Sequence, residues 1–345
     1  MGASSRLRSF QYFPYLESKN IQIEVAPLFG DDYLKGLYNG SRPFGVVIHS
    51  YYRRFIKILD VRNFDLVVIG DEVFPYLPAL VERLFGLFKI SYICDYDDAV
   101  YHNYDLHPSR VVRFLLGRKI AAVMRKSSAV TAGNSYLAAY ARKAGARRVE
   151  VFPTVVDLER YSVKVPSTFS PPERPLVIGW IGTFSTFKYL KSVMPLLERI
   201  SQGYPLELRV VGPSADLKST IPINFIPWSE ATEAESIKGF DVGIMPLDDT
   251  PWERGKCGYK LIQYMASGIP VIARGIGVNK EIVDHGINGF IANSDEEWRE
   301  ALVYLASHRK RLAEMGSAGR KIVAERYSLQ ITREKLLNLV HELTD

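Results

Sequence analysis

Residues 251–292, PWERGKCGYKLIQYMASGIPVIARGIGVNKEIVDHGINGFIA, constrain the fold of this chain more than any other stretch, because they read as loop, helix, strand, loop, helix, strand. Leu261, Ile262, Met265 and Ala266 recur at helical spacing. Ser267-Gly268 closes that helix, and Pro270 leads into the apolar run Val271-Ile272-Ala273. This is one layer of a parallel sheet with its covering helix. The preceding loop, Gly255-Lys256-Cys257-Gly258, has two glycines that let backbone approach a ligand closely, and it leads its N–H groups into a helix N-terminus. Such an end favours an anion, and Lys256 and Lys260 flank it.

A glycine loop, the helix K-L-I-Q-Y-M-A-S-G, then I-P-V-I-A, G-x-G and E-I-V-x-x-G-x-N-G-F, in that order, resembles the donor-binding half of family 4 glycosyltransferases. The resemblance implies an α/β chain of the GT-B fold, two Rossmann-like doubly wound parallel-sheet domains facing a cleft. It also implies a nucleotide-diphosphate sugar, UDP- or GDP-linked, as co-substrate, a saccharide or lipid-linked acceptor, retention of anomeric configuration, and no cofactor. Many members carry two glutamates across this loop and helix. Gly255 stands at the first position and Gln263 at the second. Glutamine still hydrogen-bonds a hydroxyl, so Gln263 is expected at the ribose, and Glu253, two residues from Gly255, is the candidate replacement for the lost carboxylate. Lys256, Cys257, Gly258 and Tyr259 complete this part of the expected donor site.

The run 164–175 holds four prolines and few apolar side chains, which predicts a linker between a first domain at 1–163 and a second at 176–325. Leu176 to Gly182 reads as the first strand of the second domain. The loop Gly182-Thr183-Phe184-Ser185-Thr186-Phe187-Lys188 takes the place of the family's G-R-L loop, whose Arg and Lys grip the donor diphosphate. Thr183 replaces the arginine and Lys188 keeps the lysine. Ile226-Pro227-Trp228 ends the strand that meets the base in such proteins, so Trp228 either stacks there or fills the core. The tail is helical, and the resemblance predicts that 326–345 crosses back to the first domain.

In the first domain the expected opening strand is absent; either the start is downstream of the true one or the sheet lacks a strand. Gly2, Ser4 and Arg6 fall in the loop that the resemblance turns toward acceptor or donor phosphate. Ile21 to Phe29 alternates apolar and polar and reads as a strand. Val46 to Leu59 has helical spacing, with Phe55, Ile56 and Ile58 as its core face. Asp65 to Gly70 and Ile90 to Asp98 read as strands, the second ending in Asp95, Asp97 and Asp98. Asp-x-Asp after a strand holds a divalent cation in the GT-A fold, but any strand end of an open α/β sheet opens onto the ligand crevice. The GT-B resemblance favours the crevice without metal: Asp97 and Asp98 join Lys188 and Lys260 as candidate catalytic groups, with Asp95 and His102 on the acceptor side.

Residues 110–127, RVVRFLLGRKIAAVMRKS, form an amphipathic basic helix without an acidic residue. Arg113, Arg118 and Lys119 are its candidates for contact with an anionic membrane, the alternative being a solvated face of a layer helix. Residues 1–160 hold 22 Lys and Arg against 16 Asp and Glu, while 161–345 hold 22 against 22, so the whole net charge of +6 lies on the N-terminal side. No aromatic and basic motif for nucleic acid accompanies it. No run of eighteen apolar residues is present, and Cys94 and Cys257 fall in different halves and suit a reducing compartment. The expectation is a cytoplasmic enzyme, peripheral at the inner face of the membrane, that transfers hexose in cell-surface glycan biosynthesis. The rivals are a non-catalytic nucleotide-sugar-binding protein and a GT-B epimerase or phosphorylase.

Overall fold

The computed structural model describes residues 2–30, 33, 36, 44–214 and 217–344. The chain divides into two compact units, Met1–Pro153 with Arg333–Asp345, and Thr154–Thr332. The division falls after Pro153, ahead of the stretch 164–175 expected as linker. That stretch packs on the second unit instead: Phe169 is buried, and the Lys164 ammonium is buried against Phe240 O at 2.6 Å and Asp241 Oδ1 at 3.0 Å.

The first unit is built on a parallel sheet whose described strands lie in chain order, β1 (Val67–Gly70), β2 (Tyr92–Tyr96), β3 (Ala129–Ala132) and β4 (Val149–Val151). Their register aligns Gly70 with Asp95 and Tyr96 with Ala132, so the strand ends that carry the acidic residues lie side by side. Every residue of β3 is buried, as the apolar run Ala129-Val130-Thr131-Ala132 requires of a central strand. Ile93, Ala129 and Phe152 form a core cluster with Leu339 of the C-terminal helix Leu329–Thr344.

Three expectations for this unit need correction. Ile21 to Phe29 is not hydrogen-bonded into a sheet among the described residues; its carbonyls at Ala26 and Pro27 accept from the Arg54 and Arg53 side chains instead. The helix Phe44–Leu59 turns Phe55 and Ile56 to solvent while Ser50 is buried. Residues 110–127 are two helices, Arg110–Leu116 and Lys119–Lys126. The break lies at Gly117 and Arg118, where glycine's low helix propensity leaves the chain free to turn.

The second unit is a six-stranded parallel sheet of β5 (Leu176–Ile181), β6 (Leu206–Gly212), β7 (Ile223–Pro227), β8 (Val242–Met245), β9 (Val271–Ala273) and β10 (Gly289–Ile291), in the order β10-β9-β8-β5-β6-β7. All of β5, β8 and β9 is buried, which is why they read as unbroken apolar runs. Glycine at 179 and 243 lets aromatic rings lie directly on the central strands. A Cβ there would meet the Phe240 ring at 1.8 Å and the Tyr264 ring at 2.3 Å. Among the described residues no helix is long and apolar enough to cross a membrane.

Candidate functional site

The strand order of the second unit reverses between β5 and β8, and at such a reversal the carboxyl ends of adjacent strands open a crevice for ligands. β5 delivers Gly182 and the loop to Lys188; β8 delivers the chain to the short helix Pro251–Arg254 and the helix Tyr259–Ala266. The first loop is internally braced. Thr183 N–H donates to Thr186 Oγ1 at 3.0 Å and Thr186 N–H returns to Thr183 O at 3.1 Å. Lys188 opens the helix Phe187–Ser201, its ammonium exposed, 4.7 Å from the Tyr189 ring and 3.8 Å from Glu253 Oε1.

Glu253 is buried, and its oxygens accept from Tyr189 OH and Thr250 Oγ1. Burial opposes its ionisation, but these hydroxyls and the Lys188 charge outweigh that and keep its pKa below the ordinary glutamate value. Expected as a free sugar ligand, this carboxylate is engaged in holding Tyr189 and neighbouring Lys188. Gly258 takes φ +67° at the start of the helix Tyr259–Ala266, and a Cβ there would meet Ile282 Cδ1 at 2.4 Å. Position and packing both exclude a side chain. Cys257 is buried, and Lys256 lies 5.2 Å from the Trp252 ring.

Lys260, one turn into the site, places its ammonium 4.4 Å from the ring of fully buried Trp180. Burial, with Lys256 adding like-charge repulsion, pushes its pKa down to about 7. Gln263 is only 2% exposed, and its Nε2 donates to Tyr161 OH at 3.0 Å. Tyr161 OH donates to Glu233 Oε1 at 2.9 Å, and Glu233 Oε2 accepts Trp228 Nε1–H at 2.7 Å. Trp228 is 47% exposed, so it is not a core tryptophan; its indole edge is fixed and much of its ring is open. Gln263 and Trp228, read separately from the sequence, are thus joined by a chain of hydrogen bonds. Glu233 and Tyr161 escaped sequence reasoning because neither belongs to a recognisable motif.

In the first unit the acidic residues gather where β1 and β2 end. Asp71 follows β1; burial first, then the charges of Asp97, Asp95, Asp98 and Glu72, hold its carboxyl well above the usual range. Asp95 was expected at an acceptor hydroxyl, but its carboxylate is taken by Arg8, whose Nε donates to Oδ2 at 2.9 Å while Nη2 reaches Oδ1, and by Thr131 Oγ1 at 2.6 Å. Arg8 also donates to Phe152 O at 2.5 Å. Gly2, Ser4 and Arg6 do not form a loop: Gly2 precedes the helix Ala3–Arg8, which carries Ser4 and Arg6. His102 is paired with Asp105 at 2.8 Å and Tyr136 OH at 3.2 Å. Among the described residues no three His, Cys, Asp or Glu side chains converge so as to hold a metal ion.

Of the three cations expected at a membrane, Lys119 is misplaced. It is buried, paired with Glu72, and donates to Phe74 O at 2.5 Å, because the turn at Gly117–Arg118 rotates it inward. Arg113 donates to the carbonyls of His107 and Pro108; Arg118 is exposed. Next to them Phe114 is 88% exposed.

Residues 175–308 match the sequence model of a family described as Glycosyl transferases group 1. None of the curated proteins compared with the chain matches it. Among solved structures, a glycosyltransferase from Rickettsia africae ESF-5 superposes with a TM-score of 0.71 at 14% identity, over 99% of this chain and 96% of that one. Anabaena Alr3699/HepE in complex with UDP gives 0.66 at 16% identity, over 84% of this chain and 82% of that one. The sucrose-phosphate synthase (tll1590) from Thermosynechococcus elongatus gives 0.65 at 13% identity, over 88% and 80%.

Proposed function

We propose that this chain, whose residues 175–308 match the sequence model of the group 1 glycosyl transferases and whose fold is GT-B, transfers a hexose from a nucleotide-diphosphate sugar to a saccharide or lipid-linked acceptor. The reading includes retention of anomeric configuration and a place in cell-surface polysaccharide biosynthesis. The observation that carries it is the cation set at the strand reversal of the second unit. Lys188 opens the helix after β5, Lys256 lies on the loop after β8, and Lys260 sits in the first turn of the helix Tyr259–Ala266 that this loop enters. The UDP in the Anabaena structure supports a uridine diphosphate donor.

Departure of the nucleotide leaves growing negative charge on the diphosphate while the anomeric carbon becomes electron-poor. The lysines and the helix end meet that charge where it develops, which is the costliest part of such a reaction in a poorly hydrated site. Gln263 takes the ribose and Trp228 the base, while Gly182 and Thr183 shape the loop that lies against the phosphates. In the first unit, Asp97 and Asp98 take the acceptor side, close enough to buried Asp71 for their charges to help raise its carboxyl.

Incubation with a panel of nucleotide sugars, read by melting temperature and by release of nucleoside diphosphate, tests the reading. Expected are stabilisation by one donor and turnover that persists in excess chelator. Lys188→Ala lowers turnover by roughly one to three orders of magnitude with folding unchanged. Stabilisation with no turnover on any acceptor returns the chain to a binding protein, the rival that Gly255 and Thr183, in place of the family's Glu and Arg, would favour. Activity that EDTA abolishes and magnesium restores moves the diphosphate contact to the aspartates.

A further inference from the structure

We infer that Glu233 is a positioning residue for donor recognition: its carboxylate sets the orientation of the Gln263 amide through Tyr161 and fixes the Trp228 indole at the same time. This rests on the reading of the second unit as a nucleotide-sugar site. The argument is one of hydrogen-bond direction. A glutamine side chain is nearly symmetric in shape, and its amide group presents either N–H donors or a carbonyl acceptor to a ligand according to which way it is turned. A glutamate at this position has no such choice, since both its oxygens accept.

Glu233 is 3% exposed, and each of its oxygens takes a donor: Tyr161 OH on Oε1 at 2.9 Å and Trp228 Nε1–H on Oε2 at 2.7 Å. Burial, ahead of the charges of Tyr259 and Glu233, raises the Tyr161 phenol well above its ordinary value, so the hydroxyl keeps its proton and spends it on Glu233. Having donated, that hydroxyl offers Gln263 only a lone pair. Gln263 must therefore turn its NH₂ group to Tyr161, which it does at 3.0 Å, and its Oε1 is left as the acceptor. No hydrogen bond engages that oxygen among the described residues. An amide so held offers the ribose what a carboxylate offers, an acceptor for a hydroxyl proton. Glu233 thus restores from two hydrogen bonds away the polarity that a glutamate at 263 would supply directly.

Glutamine in place of Glu233 removes the constraint. Its own NH₂ can donate to Tyr161, which frees the phenol to donate to Gln263 and allows the Gln263 amide to turn over. Calorimetric titration of UDP and GDP, then of the 2′-deoxy and 3′-deoxy forms of whichever binds, reads this directly. Wild type is expected to lose about three- to tenfold in affinity when the contacted hydroxyl is missing, the range for one neutral hydrogen bond. In Glu233→Gln and in Tyr161→Phe that ratio falls toward one, chiefly because binding of the ribonucleotide weakens. A purely structural role would weaken ribo and deoxy forms alike and leave the ratio unchanged.

In a Gln263→Ala background, where there is no amide left to orient, Glu233→Gln changes the ratio no further. Three results separate the claims. Binding with hydroxyl discrimination that survives in Glu233→Gln overturns the inference alone. Wild-type binding that is indifferent to both ribose hydroxyls removes Gln263 from the ribose and overturns the inference while leaving a nucleotide-sugar site. Failure of wild type to bind either nucleotide overturns the inference and the reading beneath it.

Discussion

A lysine ammonium resting on a tryptophan ring, with its pKa brought down to about 7, is half-charged at neutral pH, and Lys260 is in that position beside Trp180. An anionic diphosphate placed against it favours the protonated form, so donor binding takes up a proton whenever the free site is neutral. Affinity is therefore constant below pH 7 and declines as pH rises above it, approaching tenfold per unit until the pKa of the complex is reached. Lys260→Met is expected to bind donor weakly and with no such slope; an unchanged slope in that variant assigns it to another group. Stability runs the opposite way with pH. The folded pKa lies below the unfolded one, so the buried charge penalises the fold fully below pH 7, and the penalty is relieved as pH climbs toward the unfolded value. Lys260→Met should accordingly raise the melting temperature most at acid pH. The sequence makes Lys260 legible as a cation at a helix start. Its burial depends on Trp180, eighty residues earlier on strand β5, which no local pattern records.

At the level of elements, the second unit was legible because its strands are buried on both faces and read as apolar runs, and because each glycine turn and helix follows its strand closely. The first unit was less so, and the helix Phe44–Leu59 shows why. Periodicity identifies an apolar stripe but not which way it faces. Phe44, Ile48, Tyr52, Phe55, Ile56 and Leu59 all lie on the exposed side, whereas the side toward the unit is held by polar contacts, Tyr51 OH to Pro75 O at 2.7 Å and Arg54 to Ala26 O at 2.7 Å. A stripe of this kind is costly in water, at roughly 1.5–3 kcal/mol for each large side chain left uncovered. The charge excess on this side of the chain and the exposed Phe114 and Arg118 make an anionic lipid surface the partner to test. Wild type should sediment with phosphatidylglycerol vesicles at low salt and release as salt rises. Phe44→Ser with Phe55→Ser should reduce binding about tenfold or more while leaving transfer to a soluble acceptor intact. A wild-type protein that ignores the vesicles removes lipid from the reading.

Across the whole molecule, the chain passes between its two units twice, at Pro153–Thr154 and at Thr332–Arg333, so the helix Leu329–Thr344 begins in one unit and ends in the other. Its last turns supply the first unit with core: Leu339 is 2% exposed among Ile93, Ala129 and Phe152, with Leu336 and Leu343 packed at the edge of that cluster. The first unit's described sheet has four strands against six in the second, and it depends correspondingly more on this distant segment of chain. Leu339→Ala removes three heavy atoms from a closed cluster and is expected to cost about 2–5 kcal/mol, borne by the first unit alone. Nucleoside diphosphate, which the proposed function assigns to the second unit, would stabilise that unit by mass action and should leave that loss uncompensated if the units unfold independently. Differential scanning calorimetry of Leu339→Ala with and without the nucleotide distinguishes the cases. Two transitions, the lower displaced by the substitution and the upper by the ligand, give the expected result. A single transition displaced by both would mean that the two cores melt as one, so that the helix Leu329–Thr344 couples the stability of the units as well as completing the first.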